Sequence, residues 1–133
     1  MVTTSLRILY ADTDQMGVVY HGNYLRFFEQ GRAEFLRDAG EPYAEAERVY
    51  GMRLPVVEAL VTYKAPAHYD EIVSIHTRLV ALGRASLRFA YEVTRGETVL
   101  ALGHTAHACV DMQGKVQKLP TSFAQRLSCC FEA

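Results

Sequence analysis

Two carboxylates stand two residues apart in the stretch Tyr10-Ala11-Asp12-Thr13-Asp14-Gln15-Met16-Gly17-Val18-Val19-Tyr20-His21-Gly22-Asn23-Tyr24-Leu25, and His21 follows at the threshold of a helical pattern. The first N–H groups of a helix have no internal acceptor and sit at the positive end of its dipole, so they can hold a developing oxyanion. Asp14 lies seven residues before His21, on a loop whose Gly17 allows its carboxylate to fold back toward those donors. A carboxylate beside an oxyanion cradle is the pairing that acyl transfer needs. The same residue also fits a turn aspartate that satisfies local backbone N–H groups.

The element that must position these groups is legible from periodicity. Tyr24, Phe28, Gly31 and Phe35 recur at i, i+4, i+7 and i+11 with Phe27 beside them, while Arg26, Gln30 and Arg37 fall opposite. Residues 26–37 therefore read as an amphipathic helix lying on something flat. Glycine inside a helix costs about 1 kcal/mol relative to alanine, so Gly31 marks a place where the helix backbone approaches a sheet closely. Gly22-Asn23 supplies the start and Asp38-Ala39-Gly40 the stop, with Gly40 in the left-handed conformation.

The rest of the chain reads as strands and two short helices. Leu6 to Tyr10 is a first strand. Tyr43 to Tyr50 is a short helix ended by Gly51. Strands follow at 54–64, 72–82, about 87–94 and 98–112, with turns at Pro66, Gly83, Arg95-Gly96-Glu97 and Gln113-Gly114-Lys115. Residues 116–119 add a short strand and Thr121 to Cys129 a terminal helix. Val73, Ile75, Thr77 and Leu79 face one way in their strand, and Ser74, His76 and Arg78 the other. Leu100, Leu102, Ala106, Ala108 and Val110 are assigned to the face against which the long helix packs. One long helix followed by four long strands with short turns predicts an α+β fold with an antiparallel sheet, in a single domain over 1–133.

The run Asp12 to Tyr24 resembles the signature of acyl-CoA thioesterases of the 4-hydroxybenzoyl-CoA thioesterase type, in particular the bacterial subgroup associated with the Tol-Pal system. Tyr63-Lys64-Ala65-Pro66-Ala67-His68-Tyr69-Asp70-Glu71 extends the likeness, which covers about residues 5 to 120. It implies the hotdog fold, an antiparallel sheet wrapped around a long central helix. It implies Asp14 as the catalytic carboxylate, and the backbone N–H at His21 as the group that polarises the thioester carbonyl. Tyr20, Gly17 and Tyr24 fall near the implied pocket. The substrate would be an acyl-CoA, hydrolysed without metal or redox cofactor. Such domains usually pair so that two sheets become one, with composite sites at the interface, and many then form tetramers; a homo-oligomer, dimer or dimer of dimers, is expected. The sequence departs from the 4-hydroxybenzoyl-CoA enzymes at Thr13, Gln15 and Met16, where they carry Cys, Pro and Ala.

Composition bounds the remaining possibilities. With 133 residues, 50% apolar, 22% charged and a formal net charge of −1, the chain has the make-up of one globular domain and no footprint for nucleic acid. No window nears ~18 consecutive apolar residues and the N-terminus lacks a signal-peptide pattern, so no membrane span and a cytoplasmic location are expected. Cys109, Cys129 and Cys130 match no zinc spacing, and His68, His76, His104 and His107 are scattered, so no metal site is expected. Neither a Gly-x-Ser-x-Gly elbow nor a phosphate loop is present.

Several other residues merit placement. Asp12 reads as a structural turn acid. Glu29 and Glu58 are alternative acids, because another hotdog branch carries its carboxylate on the central helix, although Glu29 also suits an ion pair with Arg32. Lys64, Arg84, Arg88, Lys115 and Lys118 lie at strand ends or turns where a cation can reach the phosphates of coenzyme A. A non-catalytic acyl-CoA or acyl-carrier-protein binding module and a hotdog dehydratase or hydratase are the competing readings; the Asp-x-Asn-Pro-x-His run of the latter is absent.

Overall fold

The computed structural model describes residues 1–131. In chain order it comprises β1 (Val2–Arg7), a single 3-10 turn (Tyr10–Asp12), α1 (Asn23–Asp38), α2 (Tyr43–Tyr50), β2 (Met52–Arg53), β3 (Val56–Tyr63), β4 (Ile72–Leu82), β5 (Ser86–Arg95), β6 (Thr98–Ala108), β7 (Val110–Asp111) and α3 (Thr121–Ser128). Five strands form one antiparallel sheet in the order β1-β4-β5-β6-β3, and β2 pairs with β7. This is the hotdog arrangement, with α1 across one face of the sheet.

The aromatic stripe of α1 is what joins the two layers. Tyr24, Phe27, Phe28, Phe35 and Leu36 are buried; Phe28 stacks flat on Tyr91 at 4.2 Å and Phe35 meets Phe89 edge-on at 5.4 Å. Midway along the stripe, a Cβ on Gly31 would stand 2.5 Å from Thr77 Oγ1 and 2.8 Å from Ile75 Cγ2. The missing side chain is therefore the reason the helix can lie so low. Gly40 ends α1 at φ +83° and Gly51 ends α2 at φ +61°.

The inward faces of β4 and β5 carry the expected residues, since Ile75 pairs with Val93 and Leu79 with Phe89 across the ladder. Three expectations need correction. The first strand runs from Val2 to Arg7, where Val2, Thr4 and Leu6 alternate with exposed Thr3, Ser5 and Arg7, and Tyr10 lies in the 3-10 turn. The strand expected over 98–112 breaks at Cys109, so that β7 leaves the main sheet to pair with β2. Of residues 116–119, only Val116 makes a strand-like bridge, to Val110.

Leu100 is buried, but past the bulge opposite it, between Val93 and Thr94, the face of β6 is reversed from the expectation. Gly103, Thr105 and His107 look toward α1, because they pair with Tyr91, Phe89 and Leu87, and Leu102, Ala106 and Ala108 lie on the other side. Gly103 lies beneath the Phe28 ring. Hydrophobicity misleads here because the buried polar groups satisfy one another. His107 Nδ1 donates to the Leu54 carbonyl at 3.0 Å, and an imidazole that donates from one nitrogen accepts at the other when neutral. Thr105 therefore donates to His107 Nε2 at 2.8 Å, and its oxygen accepts from the Tyr91 hydroxyl at 2.6 Å.

Two outcomes follow from this core. Gly31→Ala should lower stability by about 1–3 kcal/mol despite alanine's higher helix propensity. Thr77 Oγ1 is buried with no partner among the described residues, so adding Thr77→Ala should restore part of the loss in a thermal melt. His107 is buried, and that burial pushes its pKa below the ordinary 6.5, aided by the nearby Arg32 charge. Below about pH 6.5 the unfolded chain gains a proton at this site that the folded chain refuses, so stability falls as the solution is acidified. The drop in melting temperature between about pH 7.5 and pH 5.5 should shrink in His107→Gln; an unchanged drop would rule out this histidine as the cause.

Candidate active site

Asp12 builds the loop before α1. Its carboxylate accepts the Leu9 N–H at 2.8 Å and pairs with Arg26 on the first turn of α1, while its carbonyl accepts Asn23 Nδ2 at 2.8 Å and the Tyr20 N–H at 2.9 Å. Two of these four bonds hold the loop together and two, from Arg26 and Asn23, tie it to the helix it leads into. Asp12 is 5% exposed and fully engaged, as expected of a structural turn acid.

Between Asp12 and the helix the chain makes a small hairpin. Thr13 bridges to Val19, the Asp14 N–H donates to the Val18 carbonyl at 2.9 Å, and the Gly17 N–H to the Asp14 carbonyl at 3.0 Å. Gly17 takes φ +78°, which the tight turn requires. The Met16 N–H donates to Asp14 Oδ1 at 2.9 Å. Asp14 thus makes the local turn bond of an ordinary loop aspartate, and Oδ2 has no partner among the described residues.

The entry to α1 leaves donors unused. The Tyr20 carbonyl accepts the Asn23 N–H at 2.9 Å and the His21 carbonyl accepts the Tyr63 hydroxyl at 2.7 Å. Those two bonds fix the planes of the Tyr20–His21 and His21–Gly22 peptides. Neither the His21 N–H nor the Gly22 N–H has an acceptor among the described residues. The His21 ring lies tilted against Tyr20, with ring centroids 4.4 Å apart.

Asp14, His21, Tyr24 and Lys64 line one cavity of about 310 Å³, together with Met16, Val18, Val19, Tyr63, Ala65 and Pro66. The far wall is held from behind. Arg95 donates to the Pro66 carbonyl and to Glu71 Oε1, each at 3.0 Å, and Glu71 also accepts the His68 N–H at 2.6 Å. Burial pushes the Glu71 carboxyl up, but the His68 N–H and the Arg95 guanidinium outweigh it and hold the group below the usual carboxylate range. The Val19 N–H then donates to the Ala67 carbonyl at 2.9 Å, which closes the loop carrying Asp14 against this wall.

The other sequence candidates lie elsewhere. Tyr24 lines the cavity but is a core residue, 3% exposed, and burial raises its pKa, with Tyr63 adding to the shift. Gly17 and Tyr20 sit beside the cavity without lining it. Arg84 is in the turn between β4 and β5, and its carbonyl accepts the Leu119 N–H next to Lys118. Tyr63 pairs with Ala101 and Ser86 with Ala108, so within one chain Arg84 and Lys118 stand about 23 Å along β6 from the cavity, at 3.3 Å per residue. Lys115 follows the turn after β7.

Glu58 and Arg88 lie on the sheet face away from α1. Glu58 accepts from His104 Nε2 at 2.9 Å and pairs with Arg88 at 3.3 Å, and first the His104 bond and then the Arg88 charge lower its pKa. Both are engaged with each other. Glu29 is 4.0 Å from Arg32 and mostly exposed. Tyr63 is the residue of this site that the sequence left unassigned; its place in an alternating strand gave no sign that its hydroxyl would reach a helix terminus. Among the described residues there is no cluster of His, Cys, Asp and Glu fit for a metal ion.

Among the described residues the cavity thus offers a carboxylate with one free oxygen, two free N–H groups on fixed peptides and, in Lys64, a cation without an ion pair; within apolar walls these suit attack on an activated carbonyl next to an anionic carrier. The chain as a whole also resembles known proteins. Residues 8–127 match the family model described as the Thioesterase-like superfamily. The chain is 36% identical over 121 residues to the acyl-CoA thioester hydrolase YbgC of Escherichia coli O157:H7, covering 88% of each chain. It superposes on the crystal structure of the hypothetical protein TT1821 from Thermus thermophilus with a TM-score of 0.91 at 38% identity, covering 96% of this chain and 98% of that one. A DHNA-CoA thioesterase from Staphylococcus aureus gives a TM-score of 0.90 at 30% identity, with 96% and 88% covered. The chain belongs to the Thioesterase-like superfamily, a family of thioester hydrolases.

Proposed function

We propose that the protein hydrolyses acyl-CoA thioesters, with Asp14 as the catalytic carboxylate and the His21 N–H as the oxyanion donor. The observation that carries this reading is that both residues line one cavity, while among the described residues Asp14 Oδ2 has no partner and the His21 N–H has no acceptor. Asp14 either attacks the thioester carbonyl, giving an anhydride that water opens, or takes a proton from an attacking water. On both paths the carbonyl oxygen gains charge beside the His21 N–H, and the thiolate of coenzyme A leaves and picks up a proton. Lys64, which makes no ion pair among the described residues, serves the anionic end of the substrate.

The functional unit in this reading is a pair of copies. The outer edge of β3 has no strand partner among the described residues, and Val56, Val57, Leu60 and Tyr63 are 46–64% exposed along it. An edge of that length and apolarity is normally covered. Antiparallel pairing of two β3 edges about a twofold axis sets the Val56 end of one copy beside the Tyr63 end of the other, so the Asp14 cavity of each copy is completed by its partner.

The test is release of free thiol from a panel of short, medium, long and aromatic acyl-CoAs. Asp14→Asn should reduce kcat/KM at least about 100-fold at unchanged melting temperature, the scale of a lost acid–base or nucleophilic group. A wild-type protein that binds these esters without turnover would instead favour the binding-module reading. Tyr63→Phe removes the bond that fixes the His21 carbonyl. It should lower kcat roughly 5- to 10-fold, the size of a neutral hydrogen bond, with little change in KM. Equal kcat would show that the tie is dispensable.

A further inference from the structure

The flank of α1 that faces β3 leaves part of the sheet uncovered. A cleft of about 530 Å³ opens there, lined on its apolar side by Leu36, Leu54 and Phe89 and on its polar side by Arg32, Glu29, Tyr43 and His107. Arg32 is the unusual member. Its side chain is only 18% exposed, yet the sole carboxylate near it among the described residues is Glu29 Oε1 at 4.0 Å, which is itself 71% exposed.

Among the described residues the guanidinium also lies near the Tyr91 hydroxyl, without a hydrogen bond of ordinary geometry to it. The direction of the buried chain beneath the cleft settles what that hydroxyl offers. His107 gives its proton to the Leu54 carbonyl, Thr105 gives its proton to His107, and Tyr91 gives its proton to Thr105, so Tyr91 presents only lone pairs to the guanidinium. Arg32 thus faces only a neutral oxygen, at the end of a one-way chain. Five donors and a full charge are not satisfied by that oxygen and a distant solvated carboxylate. A mostly buried cation under-supplied with acceptors, at the wall of an apolar cleft, suits a ligand with an apolar body and an oxygen at its end.

We propose that Arg32 selects acyl groups that carry an oxygen acceptor, a hydroxyl or a carboxylate, at the end remote from the thioester. The inference rests on the thioesterase reading above. Leu54, Pro55 and Val56 border the cleft, and pairing of β3 edges brings them beside the Tyr63 end, and therefore the Asp14 cavity, of the partner copy. Acyl groups enter the neighbour's cleft, and Arg32 lies where their far end arrives.

The experiment compares kcat/KM for octanoyl-CoA, 8-hydroxyoctanoyl-CoA and 7-carboxyheptanoyl-CoA in the wild type, Arg32→Lys and Arg32→Met. Each ratio between substrates is taken within one protein sample, so a loss of folded protein cancels. The wild type should favour at least one oxygenated ester over octanoyl-CoA by about 10- to 100-fold, the scale of a hydrogen bond to a charged group. Which of the two is favoured identifies the class. Arg32→Met should reverse the order, because an oxygen then enters the cleft without a partner, and octanoyl-CoA should still be hydrolysed. Arg32→Lys should keep a reduced preference for the carboxylate. A wild type that hydrolyses octanoyl-CoA as well as both oxygenated esters, or a preference that survives in Arg32→Met, overturns the proposal and leaves the thioesterase reading standing. No hydrolysis of any of the three by the wild type, repeated across the wider acyl panel, removes both.

Discussion

The close approach of α1 to the sheet at Gly31 is the constraint on which the rest of the molecule depends. With no side chain there, the helix lies against Thr77 and Ile75, and Phe28 can stack on Tyr91 while Phe35 reaches Phe89. Raising the helix by the width of a methyl group would open those contacts together, since interior packing leaves little room for compensation. The height of α1 also sets the position of its first turn, so the packing at Gly31 and the placement of the His21 N–H are parts of one geometry.

A second set of bonds turns that packed frame into a site. Asp12 binds the loop to α1 through Arg26 and Asn23, Tyr63 ties the His21 carbonyl to β3, and Arg95 with Glu71 props the wall around Pro66. None of these residues is asked to do chemistry. Each removes a freedom that Asp14 and the helix terminus would otherwise have, and preorganised groups are what oxyanion stabilisation requires. The placement of α1 nearer β1 and β4 than β3 has the opposite consequence on its other flank. There the sheet is left uncovered, and Arg32, Glu29 and the start of β3 border open space.

The sequence alone determined the amphipathic helix, the glycine that lets it settle, the alternating strands β4 and β5, and the turn carrying Asp12 and Asp14, because these are local patterns of period and turn chemistry. It also singled out Asp14 and His21, since a loop carboxylate just upstream of a helix start is a sequence-adjacent arrangement. Tertiary structure decided what depends on partners distant in the chain. The inward face of β6 could not be read from hydrophobicity, because Thr105 and His107 are buried only by virtue of bonds to Tyr91 and Leu54. The break at Cys109 depended on β2, some 57 residues earlier. Tyr63, Arg32 and the split of the cations between two ends of the sheet were invisible for the same reason: a side chain's partners across a sheet are set by register and by the position of the helix above it, and neither is a property of the neighbouring residues in sequence.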